Sequence, residues 1–212
     1  MTHTLQQQAI ARALLEIQAV VFTPQEPITF KSGILSPVYV DNRRLPFWPA
    51  QWRQIIDGFQ QTISQQTIAF DVIAGIAAAG VPHSAALAYA MQEPSVFVRK
   101  AAKEHGTRSL IEGGDVTGKR VLLVEDLVTT GGSSLAGVRE LRSSGAIVTD
   151  CLCITTYGFQ EAWDAFAGEG VTLHPLTPFQ AIVDQALALG QFGPAERDHI
   201  LAWMADPHGW GK

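Results

Sequence analysis

Two hydrophobic patterns alternate along the chain, one with helical spacing and one made of short apolar runs. The helical spacing is clear near the start, where Leu5, Ile10, Leu14 and Ile17 would share one face of a helix over residues 4–20. Further helices are predicted over residues 48–63, 82–91, 135–141, 179–187 and 194–204, with another starting at 162–166. The short runs predict buried strands at residues 70–74, 95–98, 121–124 and 146–155, and an edge strand at 171–174.

Because strands and helices alternate, the pattern predicts an α/β fold with a mostly parallel twisted sheet flanked by helices. Residues 28–33 and 36–43 are two more extended runs joined by a turn, which predicts a hairpin. We expect this region, mainly residues 1–45, to form a small hood over the carboxyl edge of the sheet. A chain of 212 residues is expected to form a single domain spanning 1–212.

The composition is ordinary for a globular α/β protein, with 47% hydrophobic and 17% charged residues. A net charge of −5 argues against a nucleic-acid partner. No stretch approaches the roughly 18 to 20 apolar residues that a membrane span needs, and the first twelve residues are too polar for a secretion signal. We therefore expect a cytoplasmic protein, with Cys151 and Cys153 as buried, reduced thiols on opposite faces of a strand.

Residues 121–134 are the stretch around which the predicted site is built. Four apolar residues form a strand that Glu125 and Asp126 are expected to end, at the sheet edge where α/β proteins bind ligands. Residues 129–134 contain only Thr, Gly and Ser, and they lead into the helix predicted at 135–141. Backbone amides, hydroxyls and the positive end of the helix dipole together predict an anion-binding loop. The alternative is a plain strand-to-helix turn that requires glycine.

The acid pair narrows the choice of anion. Two carboxylates beside a phosphate would repel it unless the ligand presents vicinal hydroxyls or a magnesium ion to them. Ribose 5-phosphate meets both conditions. The chain lacks the Gly-x-x-x-x-Gly-Lys-Ser/Thr loop of nucleotide triphosphatases and the Gly-x-Gly-x-x-Gly fingerprint of dinucleotide-binding proteins, which argues against both classes.

Residues 125–134 resemble the phosphoribosyl-diphosphate signature of type I phosphoribosyltransferases, in which apolar residues precede an acid pair and a loop rich in Thr and Gly. The resemblance implies that the two acids contact the ribose 2- and 3-hydroxyls and that residues 129–133 wrap the 5-phosphate. The substrate-binding residues that it implies here are Glu125, Asp126, Leu127, Val128, Thr129, Thr130, Gly131, Gly132 and Ser133.

The predicted hood carries a second and longer match. The segment Phe-Lys-Ser-Gly-x-x-Ser-Pro-x-Tyr-x-Asp-x-Arg over residues 30–43 resembles the N-terminal hood of orotate phosphoribosyltransferases. The resemblance implies that Lys31 lies near the substrates and that Tyr39 and Val40 flank the pyrimidine. Taken alone, Lys31 would be read as a solvated lysine at the end of a strand.

The densest patch of positive charge comprises Arg99, Lys100, Lys103 and His105. Such a run is often a solvated face, but this one lies between two strands in a glycine-rich segment that would suit a loop closing over an active site. The pattern resembles the catalytic loop of orotate phosphoribosyltransferases, which reaches the neighbouring subunit. The resemblance therefore implies a homodimer in which residues 99–114 reach the neighbouring active site.

Two positions depart from that family's pattern. Residues 75–80 correspond to the loop that holds the diphosphate, and Ala79 stands where some members carry a lysine. Tyr157 stands where many members place an arginine that contacts the base. We place Tyr157 among the substrate-binding residues on the strength of its position.

The resemblance implies an enzyme that transfers the 5-phosphoribosyl group from phosphoribosyl diphosphate to orotate. The products are orotidine 5-monophosphate and diphosphate, in de novo pyrimidine biosynthesis. We expect Lys103, His105 and Asp126 to be catalytic, with Arg99 and Lys100 helping Lys103 and His105 to stabilise the departing diphosphate. Magnesium would be bound mainly through phosphoribosyl diphosphate, so no metal-ligating residues are assigned.

Two other functions remain open at this point. A purine-base phosphoribosyltransferase would need the same ribose-phosphate site, because a fold does not determine the base. A regulator that binds phosphoribosyl diphosphate without catalysis is the other alternative. It would usually need a nucleic-acid surface, which the acidic composition does not supply.

Overall fold

The structure is a computed structural model that describes residues 3–23, 26–30, 32–99 and 110–211. Its helices are α1 Leu5–Glu16, α2 Pro49–Gln66, α3 Gly80–Met91, α4 Gly132–Ser143, α5 Gln160–Gly168, α6 Phe179–Ala188 and α7 Pro194–Ala205, with a 3₁₀ helix at Asn42–Phe47. Its strands are β1 Val20–Phe22, β2 Ile28–Thr29, β3 Leu35–Ser36, β4 Val38–Val40, β5 Val72–Ile76, β6 Ser95–Val98, β7 Ile111–Glu112, β8 Val121–Val128, β9 Asp150–Thr156 and β10 Thr172–Pro178.

The predicted α/β fold is confirmed. The main sheet has six strands in the order β10-β9-β8-β5-β6-β7. All neighbouring pairs are parallel except β6 and β7, which are antiparallel. Strand β10 lies at one edge, as its apolar pattern indicated, and β8 lies near the middle. The carboxyl ends of β5, β6 and β8 therefore meet on one side of the sheet.

Apolar residues cover both faces of the sheet and form two separate clusters. Leu122 and Val124 of β8 point into one cluster, which includes α1, α6 and α7. Leu123 points into the other, together with Cys151 and Cys153 of β9. Both cysteines are buried free thiols, as expected, but the expectation that they face opposite sides is wrong. Residues two apart on a strand face the same side, so both thiols belong to one cluster.

The boundaries of β8 differ from the sequence prediction. Glu125 and Asp126 were expected to end the strand, but it continues to Val128. The continuation is held by β9, because Leu127 pairs with Thr155 and Val128 with Thr156. The acid pair therefore lies within a strand rather than after it.

The hood is more elaborate than one hairpin. The predicted hairpin is present but short, since Ile28 pairs with Ser36 and Thr29 with Leu35. The following strand, β4, pairs instead with β1, an antiparallel partner that the sequence analysis did not assign. Helix α7 supports the hood from the far end of the chain, because the indole N–H of Trp203 donates to the Leu35 carbonyl at 2.8 Å.

Across the described ranges, none of the helices combines the length and the apolar character that crossing a membrane requires.

Candidate functional site

A cavity of about 780 Å³ opens where the carboxyl ends of the central strands meet. Ile76, Val98 and Val128, at the ends of β5, β6 and β8, line its floor. The loop and first turn at residues 129–134 form one wall, and Phe30 and Ser32 of the hood form part of the opposite side. The cavity therefore lies where the sequence analysis placed an anion-binding loop.

The wall at residues 129–134 leads directly into the N-terminus of α4, which begins at Gly132. No side chain caps this helix, and its first turn contains no acidic residue. The first amides of the helix therefore face the cavity with the positive end of the helix dipole behind them. Thr129, Thr130 and Ser133, each with a side-chain hydroxyl group, line the same cavity. The arrangement suits a phosphate.

Gly131 is required by the geometry of this loop. Its φ angle of +83° lies in the left-handed region, and a Cβ atom at this position would lie 2.8 Å from Cε2 of Phe166. We expect Gly131→Ala to lower the free energy of unfolding by about 1 to 3 kcal/mol, through backbone strain and overpacking. Gly132→Ala is the matched control, because Gly132 has a negative φ angle and open space around its Cβ position. Urea denaturation measures both, and equal stabilities of the two variants would contradict the account.

The acid pair lies beside this loop. Glu125 is buried, and its carboxyl group accepts hydrogen bonds from the Asp126 amide at 3.1 Å and from Ser134 Oγ at 3.3 Å. Burial raises the pKa of Glu125 well above its ordinary value, and the charge of Asp126 raises it further. Burial also raises the pKa of Asp126, although Arg43 and nearby hydrogen bonds oppose that shift. The pair therefore retains a proton at a higher pH than two solvated carboxyl groups would.

A residue that the sequence analysis missed holds this strand. The side-chain amide of Asn42 donates to the backbone carbonyl of Asp126 at 2.8 Å. Asn42 is fully buried at the start of the 3₁₀ helix, which begins within the hood. The hood is thereby tied to the acid pair.

The loop between β5 and α3 follows Ile76, which lines the cavity floor. The Ala77–Ala78 peptide bond is cis, and α3 begins at Gly80 with no side-chain cap. A Cβ atom on Gly80 would lie 2.6 Å from the Val124 carbonyl, so only glycine allows α3 to approach β8 so closely. Ala79 contributes no cation here.

One turn into α3, His83 is buried and accepts a hydrogen bond through Nδ1 from the Trp52 indole N–H at 3.0 Å. Burial lowers the pKa of His83 to about 4. In the unfolded chain, His83 becomes protonated near pH 6.5, whereas in the folded protein it becomes protonated only near pH 4. The contribution of His83 to stability is present above that window and is lost as the pH falls through it.

We expect His83→Gln, which keeps an acceptor for Trp52, to flatten this pH dependence. Relative to the variant, the wild type should lose about 3 kcal/mol of unfolding free energy between pH 7 and pH 4. Chemical denaturation of both proteins across this range measures the difference. A gap that stays constant with pH would contradict the burial of a neutral His83.

The predicted catalytic loop is described only at its ends. The Arg99 amide donates to the Leu110 carbonyl at 2.8 Å, and its guanidinium group lies 3.5 Å from the carboxylate of Glu112. Arg99 lines the cavity, as a residue contacting the diphosphate would. Lys31, Lys100, Lys103 and His105 lie outside the described residues, so their roles stay predictions.

The residues predicted to contact the base, Tyr39, Val40 and Tyr157, do not line this cavity. Val40 is buried, and Tyr39 is 41% exposed, with its hydroxyl group accepting from Arg43 Nη2 at 3.0 Å. Tyr157 is only 1% exposed, because its ring stacks on Phe30 at a centroid distance of 5.3 Å within an aromatic cluster. Its hydroxyl group is buried and has no hydrogen-bond partner among the described residues. A contact between Tyr157 and the base stays a prediction.

Comparison with known proteins agrees with the geometry. Residues 48–160 match the model of the phosphoribosyl transferase domain family. The chain is 40% identical to an orotate phosphoribosyltransferase of Coxiella burnetii over 95% of its own length and 96% of that protein. Among solved structures, it matches orotate phosphoribosyltransferase from Aeropyrum pernix with a TM-score of 0.74 and 30% identity, over 87% of this chain and 99% of the other.

A second solved structure, Leishmania donovani UMP synthase, matches with a TM-score of 0.80 and 25% identity. The match covers 94% of this chain but only 42% of that protein. The Coxiella burnetii relative, by contrast, matches over nearly its full length. The small-residue loop at 129–134, the acid pair and the hood all occur in this chain. The chain therefore belongs to the orotate phosphoribosyltransferase family of phosphoribosyl transferase domain proteins.

Proposed function

We propose that this protein catalyses the transfer of the 5-phosphoribosyl group from phosphoribosyl diphosphate to orotate, giving orotidine 5-monophosphate and diphosphate. The observation that carries the proposal is the uncapped N-terminus of α4 beside an acid pair in which Glu125 is buried, within a chain 40% identical to an orotate phosphoribosyltransferase. The loop offers donors for a phosphate, and the acids offer acceptors for ribose hydroxyls. The loop lines the cavity, and the acid pair lies directly beside it through the contact between Glu125 and Ser134. Donors for a phosphate next to acceptors for ribose hydroxyls are what a phosphoribosyl donor requires.

In this proposal the 5-phosphate is held by residues 129–133. Ribose hydroxyls donate hydrogen bonds to Glu125 and Asp126. Asp126 also supplies a negative charge near the positive charge that develops on the sugar at C1. Burial makes this charge costly in the empty site, and a bound donor offsets part of the cost with hydrogen bonds. The base lies under the hood, near Lys31 and the predicted contacts Tyr39, Val40 and Tyr157.

Displacement at C1 breaks the bond to diphosphate and forms a bond to a ring nitrogen of orotate, and the proton of that nitrogen leaves with the diphosphate. Negative charge grows on the leaving diphosphate, and we assign its stabilisation to Lys103, with Arg99, Lys100 and His105. Closure of residues 99–114 over the cavity excludes water, which would otherwise capture the sugar. Position 79 is an alanine and supplies no positive charge. We therefore propose that residues 99–114 provide the cations that bind the diphosphate.

Magnesium fits this site. Glu125 is buried and Asp126 is half-buried, and the pKa values of both carboxyl groups are raised. A nearby cation, or hydroxyl groups that donate to them, would favour their charged forms. No cluster of three or more metal-ligating side chains occurs in the part of the chain that the structure describes. We therefore propose that the oxygens of phosphoribosyl diphosphate supply most of the ligands, with Asp126 and Glu125 nearby. The ion would neutralise charge on the diphosphate.

We also propose that the whole chain works as one domain, with residues 1–45 as the hood, and that two copies form a homodimer. In the dimer, residues 99–114 would reach the neighbouring active site. Size-exclusion chromatography with light scattering tests the dimer. Restoration of activity on mixing two inactive variants, one changed at Lys103 and one at Asp126, would test whether the loop acts across subunits.

One assay tests the proposed reaction against its alternatives. The protein is mixed with magnesium, phosphoribosyl diphosphate and either orotate or a purine base, and diphosphate release is followed. We expect release with orotate and none above background with purines. Release only with a purine would favour a purine phosphoribosyltransferase, and none with any base would favour a binding protein without catalysis.

A further inference from the structure

The upper part of β8 has a strand neighbour on one side only. Strand β5 pairs with β8 from Val72↔Val121 to Gly75↔Val124 and then turns away. Strand β9 continues beside β8 as far as Val128. The segment 125–128, which carries the acid pair, therefore extends beyond the end of its β5 partner. A strand segment paired on one side has backbone groups that need partners from elsewhere.

Asn42 supplies one of these partners. Its Nδ2 donates to the Asp126 carbonyl at 2.8 Å across 84 positions of sequence. On the other side of the same residue, the Asp126 amide donates to Glu125 Oε1 at 3.1 Å. The peptide groups before and after the Asp126 Cα are thus both held. This fixes the direction in which the Asp126 side chain leaves the strand.

The surroundings of Asn42 keep its amide in one orientation. Asn42 is 0% exposed and is the first residue of the 3₁₀ helix. The Asp41 side chain caps this helix, because it accepts a hydrogen bond from the Arg43 amide at 3.3 Å. The Oδ1 atom of Asn42 is buried and has no hydrogen-bond partner within the described ranges. A flipped amide would place this oxygen against the Asp126 carbonyl, so the donor role is the one that the site requires.

We propose that Asn42 is a positioning residue for phosphoribosyl transfer, which sets the Asp126 peptide so that its carboxyl group meets the ribose. The inference rests on the proposed contact between Asp126 and the donor. It separates two roles of the hood: strand β4 carries the predicted base contacts Tyr39 and Val40, whereas Asn42, two residues later, acts on the donor half of the site.

The test uses Asn42→Leu, which keeps the side-chain shape and removes both polar atoms, and Asn42→Ser as a second variant in case the first does not fold. We expect kcat/KM for phosphoribosyl diphosphate to fall about tenfold or more, as loss of a supporting contact usually causes. The KM for orotate should stay within about twofold of wild type. Arg44→Ala, an exposed change on the same 3₁₀ helix, is the matched control.

Two results would overturn the inference. One is a wild-type kcat/KM for phosphoribosyl diphosphate in a folded Asn42 variant. The other is a raised KM for orotate with unchanged donor kinetics, which would make Asn42 a support for the base contacts only. Combining the Asn42 change with Asp126→Asn should add little to the effect of Asp126→Asn alone, because the two act as a unit. Wild-type activity of Asp126→Asn itself would instead refute the proposed ribose contact.

Discussion

Lys103→Ala is expected to lower turnover by at least about 100-fold, while the KM for phosphoribosyl diphosphate rises much less. The proposed role of Lys103 is to stabilise charge that develops on diphosphate as it leaves, and this charge is greatest in the transition state. Removing such an interaction lowers kcat more than it weakens ground-state binding. Initial rates of orotidine 5-monophosphate formation at saturating substrates measure the effect.

Lys119→Ala is the matched control for this variant, because Lys119 is an exposed lysine away from the cavity. It should retain wild-type kinetics. Unchanged turnover in Lys103→Ala would remove Lys103 from the chemistry. A rise in KM with full kcat would reduce its role to ordinary binding of the donor.

Glu125→Gln is expected to have opposite effects on catalysis and stability. Activity should fall by about tenfold or more, because a ribose hydroxyl would lose a charged acceptor. The empty protein should become more stable at pH 8, since a buried carboxyl group that resists ionisation is replaced by a neutral amide of the same shape. Asp57→Asn removes an exposed carboxyl group and should change neither property.

The raised pKa of Glu125 determines how the stability difference between wild type and Glu125→Gln changes with pH. The pKa of Glu125 is raised in the folded protein, so the folded state holds a proton that the unfolded chain releases above the ordinary carboxyl range. Stability from this source is greatest at acidic pH and falls as the pH rises toward the raised pKa. The advantage of Glu125→Gln should therefore shrink as the pH is lowered. Thermal unfolding from pH 5 to pH 8 measures it, and a less stable variant at pH 8 would contradict the burial argument.

The strand, loop and helix around residues 129–134 could be predicted because their signal is local. Small residues at 129–134 adjoin an apolar strand and an amphipathic helix, and the structure places all three features in that order. The parallel sheet was also predictable, because buried strands and helices alternate over most of the chain. Neither feature depends on which distant residues come into contact.

The exact extent of β8 could not be predicted, because it depends on a neighbour. Two acids after four apolar residues normally end a strand, but pairing of Leu127 and Val128 with β9 carries the strand past them. The pairing of β1 with β4 was missed for a similar reason. Three residues, Val20–Phe22, form a strand only because a partner strand sixteen to twenty positions later lies beside them.

Single residues with distant partners were the hardest to find. Asn42 follows an extended run and shows no periodic signal, and its hydrogen bond is with a carbonyl group 84 positions away. In the sequence, His83 is likewise only one residue of an apolar helix, because its hydrogen bond with Trp52 depends on the fold. The position of Tyr157 in the sequence matched a base contact, but its ring lies in the aromatic cluster around Trp203.

The central claim is that the loop before α4 holds the 5-phosphate of the donor while the acid pair holds its ribose. A crystal structure of the protein with phosphoribosyl diphosphate and magnesium tests it most directly. We predict phosphate density against the amides of residues 130–133, with the ribose hydroxyls within hydrogen-bond distance of Glu125 or Asp126. A fully occupied donor bound elsewhere, with this loop empty, would contradict the account.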